Sequence, residues 1–96
     1  MLNQVILVGR ISKEVVKNGE RYEMTIGIPR SFKNADGEYE TDFVDIKLFN
    51  QVGQSTMEYC KIGDIVGIKG RVQNGELNKP LEIIAEKVTF LSSKGN

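Results

Sequence analysis

The chain lacks several residues on which metal and enzyme chemistry depend. It has no histidine and a single cysteine, Cys60, so neither a Cys–His zinc cluster nor a Cys–His nucleophile pair can form. One cysteine also excludes an internal disulfide. The sequence contains no Gly-rich phosphate loop before a helix and no nucleophile motif. We therefore expect a non-catalytic protein that needs no metal and no other cofactor.

Long apolar runs and a leader segment are missing as well. No stretch approaches the roughly 18 apolar residues that a membrane span requires, and the chain does not begin with a charged segment followed by an apolar one. These absences predict a cytoplasmic protein without membrane association. The 13 basic and 13 acidic side chains cancel, so any site for a polyanion must be a local arrangement.

The length allows one small domain. With 96 residues, of which 40% are hydrophobic, the chain can build a single modest core and has little room for a second unit. We expect residues 1–92 to form this domain and residues 93–96 to be a short C-terminal end.

Alternating apolar side chains predict strands, and helical spacing occurs once. Between Phe49 and Gly63 the alternation stops, and the spacing of Val52, Thr56, Tyr59 and Cys60 indicates a short helix that Gly63 would end. The turn candidates are Asn18-Gly19, Asp36-Gly37 and Asn74-Gly75, of which the first would join two strands or two halves of a bent strand. The predicted strands are Gln4 to Arg10, Tyr22 to Ile28, Asp42 to Phe49, Val66 to Val72 and Leu81 to Leu91.

The third strand is the most informative segment. Because successive side chains of a strand point to opposite faces, Val44, Ile46 and Leu48 form a core face. The other face carries Phe43, Asp45, Lys47 and Phe49. Two exposed rings with a lysine between them suit a stack of nucleic-acid bases, since every base has a π face and every phosphate a charge. The alternative is that both rings are buried under a loop or against another subunit.

Five strands with one helix after the third predict an all-β fold, a five-stranded OB-fold barrel. A family resemblance extends over residues 3 to 91. Its segments are Asn3 to Ile11, Arg30 to Asn34, Asp42 to Phe49, Glu58 to Val72 and Ala85 to Leu91. In these segments the chain resembles the bacterial single-stranded DNA-binding proteins, in their short form without an extended tail.

The resemblance implies binding and protection of single-stranded DNA, independent of sequence, during replication, recombination or repair. It assigns base stacking to Phe32, Phe43 and Phe49. Tyr22 and Tyr39 are possible further platforms, whereas Tyr59 is expected in the core. The basic residues expected to contact DNA phosphates are Arg10, Arg30, Lys33, Lys47, Lys69 and Arg71.

Several departures from the family pattern predict weaker binding with a smaller footprint. Asp45 places an anion on the stacking strand, and Asn50-Gln51 lacks a basic residue. The hairpin from Gln73 to Pro80 is shorter than the family's loop and contains no aromatic residue. The segment Ser92 to Asn96 has no linker with an acidic tip, so recruitment of partner enzymes through such a tip is not supported.

The first strand also predicts self-association. Val5, Ile6, Leu7 and Val8 place apolar residues on both of its faces, so one face is available to a neighbouring subunit. We expect a homo-oligomer, and the resemblance favours a tetramer over a dimer. An alternative function follows from a similar, tail-less protein, the primosomal replication protein N: a dimeric OB-fold platform for helicase or primase complexes.

Overall fold

The chain folds into a five-stranded β-barrel with one helix in a computed structural model that describes residues 1–76 and 80–93. The strands follow one another around the barrel in the order β1-β2-β3-β5-β4, and only the β3–β5 pairing is parallel. A barrel of this kind with a helix after the third strand is the OB-fold, so the predicted fold class is confirmed. The elements are β1 (Val5–Asn18), β2 (Arg21–Lys33), β3 (Tyr39–Phe49), α1 (Asn50–Tyr59), β4 (Ile65–Asn74) and β5 (Leu81–Ser92).

Strand β1 is longer than the sequence predicts. It does not end at Gly9 but continues to Asn18, with register shifts against β2 on both sides of Lys13. Such shifts bend a strand and increase its twist, which lets β1 follow the curved wall of the barrel. Gly9 lies where β1 approaches β2, since a Cβ there would lie 2.9 Å from the carbonyl oxygen of Gly27. The turn at Asn18-Gly19 joins β1 to β2, with Gly19 at a φ of 70°.

The barrel interior is filled by the side chains that the alternation predicts. Met24 and Ile26 of β2 face inward together with Ile46 and Leu48 of β3, and all four are 2% exposed or less. Met24 lies opposite Ile46 in the ladder, so these residues pack as cross-strand pairs. The core face predicted for the third strand is therefore confirmed, and the opposite face must point outward.

Helix α1 ends earlier than predicted. It stops at Tyr59, and Cys60 is already extended, at a φ of −111° and a ψ of 139°. Gly63 does not cap the helix: it lies in the turn before β4 at a φ of 94°, where its N–H donates to the carbonyl of Ile11 at 2.8 Å. The prediction that Tyr59 belongs to the core is wrong, because this last helical residue lies clear of the barrel and is 71% exposed.

Tyr22 is not a platform for bases, contrary to the prediction. It is only 9% exposed, because its ring packs against α1 at Gly53. A Cβ on Gly53 would overlap the Tyr22 ring, so the glycine allows the helix to close one end of the barrel.

Parts of two sequence predictions lie outside the described residues. The hairpin predicted from Gln73 to Pro80 includes residues 77–79, and the C-terminal end includes residues 94–96. Within the described part of the chain, no helix is long and apolar enough to cross a membrane.

Candidate nucleic-acid interface

The outward side chains of the predicted stacking strand, β3, lie on one face of the β2–β3 ladder. Each of these β3 residues lies opposite a residue of β2 whose side chain points to the same face. These pairs are Gly27 with Phe43, Thr25 with Asp45, Glu23 with Lys47 and Arg21 with Phe49. The two rings thus lie at opposite ends of one exposed strip, with a carboxylate and an amine between them.

Phe43 is the more accessible of the two rings. It is 67% exposed, so no described part of its own chain covers it. Its ring lies over Gly27, where an added Cβ would be 3.3 Å from the Phe43 Cε1 atom. A cleft of about 520 Å³ borders the ring and is also lined by Arg10, Gly9 and Ile62. This combination of a bare ring, an apolar cleft and a guanidinium can hold a planar base beside a phosphate.

Phe49 is half-buried and lies at the rim of the barrel. It is the N-cap residue of α1, and the next residue, Asn50, has a φ of 51°. A left-handed residue turns the chain sharply, and asparagine tolerates that conformation better than most residues do. Phe49 therefore stands at the corner where strand becomes helix. The Cζ atom of Arg21 lies 5.5 Å from the centre of its ring.

Phe32 lies farther along the same β2–β3 ribbon and is 64% exposed. Near it, Tyr39 is 59% exposed, and the Lys33 amine lies 5.8 Å from the centre of the Tyr39 ring. The loop that joins these strands is held by Asn34, whose side-chain oxygen accepts the backbone N–H groups of Asp36 and Glu38. Lys33 lies opposite Tyr39 in the ladder, so these two side chains share one face at the far end of the β2–β3 ribbon.

Three of the basic residues predicted to contact phosphates already form ion pairs with carboxylates. Arg30 donates to both oxygens of Asp42, at 2.9 and 3.1 Å, and to Glu40 at 2.9 Å. Sequence analysis did not foresee these ion pairs, because it fixes no register between strands. The other two pairs are Lys47 with Glu23 and, at 3.2 Å, Arg71 with Glu86.

Two of these carboxylates, Asp42 and Glu23, have lowered pKa values. The Arg30 guanidinium lowers the pKa of Asp42, and the Asp42 carboxylate in turn raises the pKa of Arg30. The pKa of Glu23 is lowered by its hydrogen bond from Lys47 and then by that from Asn18. A DNA phosphate that approaches Arg30 or Lys47 must therefore compete with an ionised carboxylate.

Asp45, on the outward face of β3, has no such basic partner. The Thr25 hydroxyl donates to its Oδ1 atom at 2.8 Å, and no ion pair to Asp45 occurs among the residues the structure describes. Lys13 lies opposite Thr25 on β1 and lines the same shallow cleft as Asp45. In the described part of the chain no ion pair balances the negative charge between the two rings, although Lys13 and Lys47 both line the cleft beside it.

The remaining predicted cations differ in position. Arg10 lines the Phe43 cleft and donates to the carbonyl of Gly63 at 2.7 Å. Lys69 lies on β4, which pairs with β1 and β5, so the structure does not bring it beside the stacking strand. There it lies opposite Lys87 of β5 and opposite Ile6 of β1.

Sequence analysis overlooked Arg21. Its position directly before Tyr22 could have shown that it faces outward, because neighbouring side chains in a strand point to opposite faces and Tyr22 points inward. Only the register with β3, however, places it opposite Phe49.

A small OB-fold barrel with exposed rings on its second and third strands, next to basic side chains, has the architecture of proteins that bind single-stranded nucleic acids. The sequence agrees with that class. Residues 2–91 match the model of the single-strand binding protein family. The chain belongs to this family.

Similar proteins cover almost the whole chain. It is 34% identical over 106 aligned positions to single-stranded DNA-binding protein B of Bacillus subtilis, covering 98% of this chain and 94% of that protein. It is 32% identical to single-stranded DNA-binding protein 2 of Staphylococcus aureus, covering 100% of this chain and 78% of the relative.

Solved structures support the fold. The mitochondrial single-stranded DNA-binding protein Rim1 of Saccharomyces cerevisiae superposes with a TM-score of 0.74 at 21% identity. The small single-stranded DNA-binding protein of Streptomyces coelicolor superposes with a TM-score of 0.70 at 16% identity. In both comparisons 95% of each chain is covered.

Proposed function

We propose that this protein binds single-stranded DNA without sequence preference and protects it during replication, recombination or repair, without catalysis. The observation that carries the proposal is the Phe43 ring, which is 67% exposed above Gly27 and borders an apolar cleft shared with Arg10. A ring left open to water on a barrel wall is suited to stacking, which accepts any base. Phe32 and Phe49 extend the stacking path at its two ends.

Phosphate contacts supply the second part of the interaction. The candidates are Arg10, Arg30, Lys33, Lys47, Lys69 and Arg71. Because Arg30, Lys47 and Arg71 already hold carboxylates, binding exchanges one anion for another at these positions. We therefore expect a modest affinity in which stacking has a large share.

The test is a titration of fluorescent oligo(dT) at two salt concentrations. Phe43→Ala should weaken binding by about 1–3 kcal/mol, the usual contribution of one stacked base. Tyr59→Ala is the matched control, because Tyr59 is equally exposed but lies at the end of α1, away from the β2–β3 face. A folded Phe43→Ala variant that binds like the parent would refute the stacking role of Phe43.

The protein is also proposed to act as a homo-oligomer, a tetramer rather than a dimer. The supporting observation is an apolar surface on β1 and β5, where Ile6 is 69%, Val8 53% and Leu91 51% exposed. Light scattering after size exclusion should give a mass of four subunits. A stable monomer at micromolar concentration would contradict the proposal.

The platform function of a primosomal dimer is not favoured, because the family and the similar proteins are named for binding single strands. We further propose a cytoplasmic location, with residues 1–92 as the DNA-binding domain and residues 93–96 as a short end.

A further inference from the structure

Arg21 covers one face of the Phe49 ring. The two residues lie directly opposite each other in the β2–β3 ladder, and the guanidinium carbon is 5.5 Å from the ring centre. A guanidinium over a ring face is attracted by the negative charge of the π system and also fills the space a base would need.

The guanidinium of Arg21 is itself fixed. It donates to Glu82 of β5 at 3.1 Å and to Glu76 at 3.4 Å. The side chains of Arg21 and Glu82 are only 23% and 15% exposed, so this pair is partly shielded from water. A guanidinium held by two carboxylates and a ring is poorly placed to neutralise a phosphate as well.

Phe49 lines two clefts. One, of about 440 Å³, is shared with Arg21, Asn18 and Glu76. The other, of about 460 Å³, is shared with Asn50, Arg71, Gln73 and Glu86. Because the Arg21 guanidinium already lies over the ring and lines the first cleft, a base has room left in the second, where the Arg71 guanidinium, paired with Glu86, could contact its phosphate.

We propose that Arg21 is a positioning residue for base stacking: it backs the Phe49 ring from one side, so that a base of single-stranded DNA stacks only on the other face, in the Arg71 cleft. This inference rests on the proposed function. Arg21 acts through Phe49 and does not itself contact the DNA.

The test is a double-mutant cycle that combines Arg21→Ala with Phe49→Ala, titrated with fluorescent oligo(dT) at two salt concentrations. Phe49→Ala alone should weaken binding by about fivefold or more. Arg21→Ala should weaken it by about two- to fivefold in the parent and not at all in the Phe49→Ala background. The slope of log K against log salt should stay the same when Arg21 is removed.

Arg30→Ala is the matched control, because Arg30 is on the same strand and also holds two carboxylates, but among the described residues it contacts no aromatic ring. Its effect should persist in the Phe49→Ala background. If removal of Arg21 unfolds the protein, Arg21→Lys replaces it, since lysine keeps the charge for Glu82 but not the flat guanidinium. The same coupling to Phe49 is expected of it.

A second readout needs no DNA. The chain has no tryptophan, so Phe49→Trp introduces a single tryptophan, whose fluorescence can be excited selectively over that of the three tyrosines. Quenching by acrylamide should increase when Arg21→Ala is added, because one ring face becomes accessible. Unchanged quenching would overturn the inference.

Three binding results would also overturn it. An equal loss from Arg21→Ala in both backgrounds, with a slope reduced by about 0.7, would make Arg21 a phosphate contact. No loss from Arg21→Ala, while Phe49→Ala binds weakly, would leave the stacking function intact and remove the role of Arg21. If Phe49→Ala itself binds like the parent, the stacking role proposed for Phe49 fails, and the inference fails with it.

Discussion

Asp45 offers the sharpest test of where the DNA runs. Its carboxylate lies on the outward face of β3, two residues from Phe43. Residues two apart in a strand are separated by about 6.7 Å, so a backbone that follows a base stacked on Phe43 passes close to this anion. If Phe43 and Phe49 both hold bases, Asp45 must repel the phosphates between them.

The size of this repulsion follows from Coulomb's law. A phosphate at about 5 Å from the carboxylate is repelled by about 0.8 kcal/mol in water. Removal of the charge by Asp45→Asn should therefore tighten binding about fourfold at low salt. The amide oxygen of asparagine can still accept the hydroxyl of Thr25, which now bonds Asp45 at 2.8 Å, so the substitution isolates the charge.

Asp45→Lys should go further. It replaces the repulsion by an attraction of similar size, so that affinity should rise about 15-fold over the parent. One added phosphate contact should also steepen the slope of log K against log salt by about 0.7. Glu58→Gln is the matched control, because this exposed acid lies on α1, away from the strip.

The assay is a fluorescent oligo(dT) titration at several salt concentrations. Unchanged affinity and slope in both variants would refute this reasoning. The DNA path would then lie elsewhere on the barrel, or Lys13, which shares a shallow cleft with Asp45, would already cancel its field.

The remaining predictions concern the ion pair between Arg30 of β2 and Asp42 of β3, and the packing of α1. Asp42→Asn should tighten oligo(dT) binding and steepen its salt slope, because Arg30 then pairs with Glu40 alone and is more available to a phosphate. Because Arg30 lowers the pKa of Asp42, the two side chains are fully paired at neutral pH. The pairing is lost only as the pH falls below the ordinary carboxyl range. An oligo(dT) titration in acid should therefore find Arg30 free of Asp42. Gly53→Ala should destabilise the protein by about 1–3 kcal/mol, because the new methyl overlaps the Tyr22 ring, whereas Ser55→Ala on the same helix should change the unfolding midpoint little. A Gly53→Ala variant as stable as the parent in thermal unfolding would contradict that packing.

The alternation of β3 could be interpreted from sequence because a regular strand fixes which side chains share a face. Ile46 and Leu48 are inside and Phe43 is outside, as their parity requires. Beyond Gly9 the same logic fails for β1. Ile11 and Val15 are buried with the same parity, but Lys13 between them is exposed at the register shifts, so the apolar alternation that would mark the strand is interrupted.

Other features depend on contacts between distant segments. Tyr22 is buried because a glycine of α1 leaves space for its ring, and Tyr59 is exposed because the helix ends at that residue. The partners of Arg30 and Lys47 are set by the register of β2 against β3. A single sequence states which side of a strand a residue faces, but not which residue it meets there.

The ion pairs also explain how a chain of zero net charge can build this interface. Lys47, Arg30 and Arg71 each form an ion pair with an acid, so these three cations are already neutralised before DNA arrives. A phosphate that takes such a cation releases a carboxylate to water, and the net charge neutralised is smaller than a count of cations suggests. Affinity should therefore depend on salt less steeply than the six candidate cations would give, whereas loss of a ring should cost the same at every salt concentration. We therefore expect stacking, rather than charge, to be the main interaction that holds the DNA strand on the barrel.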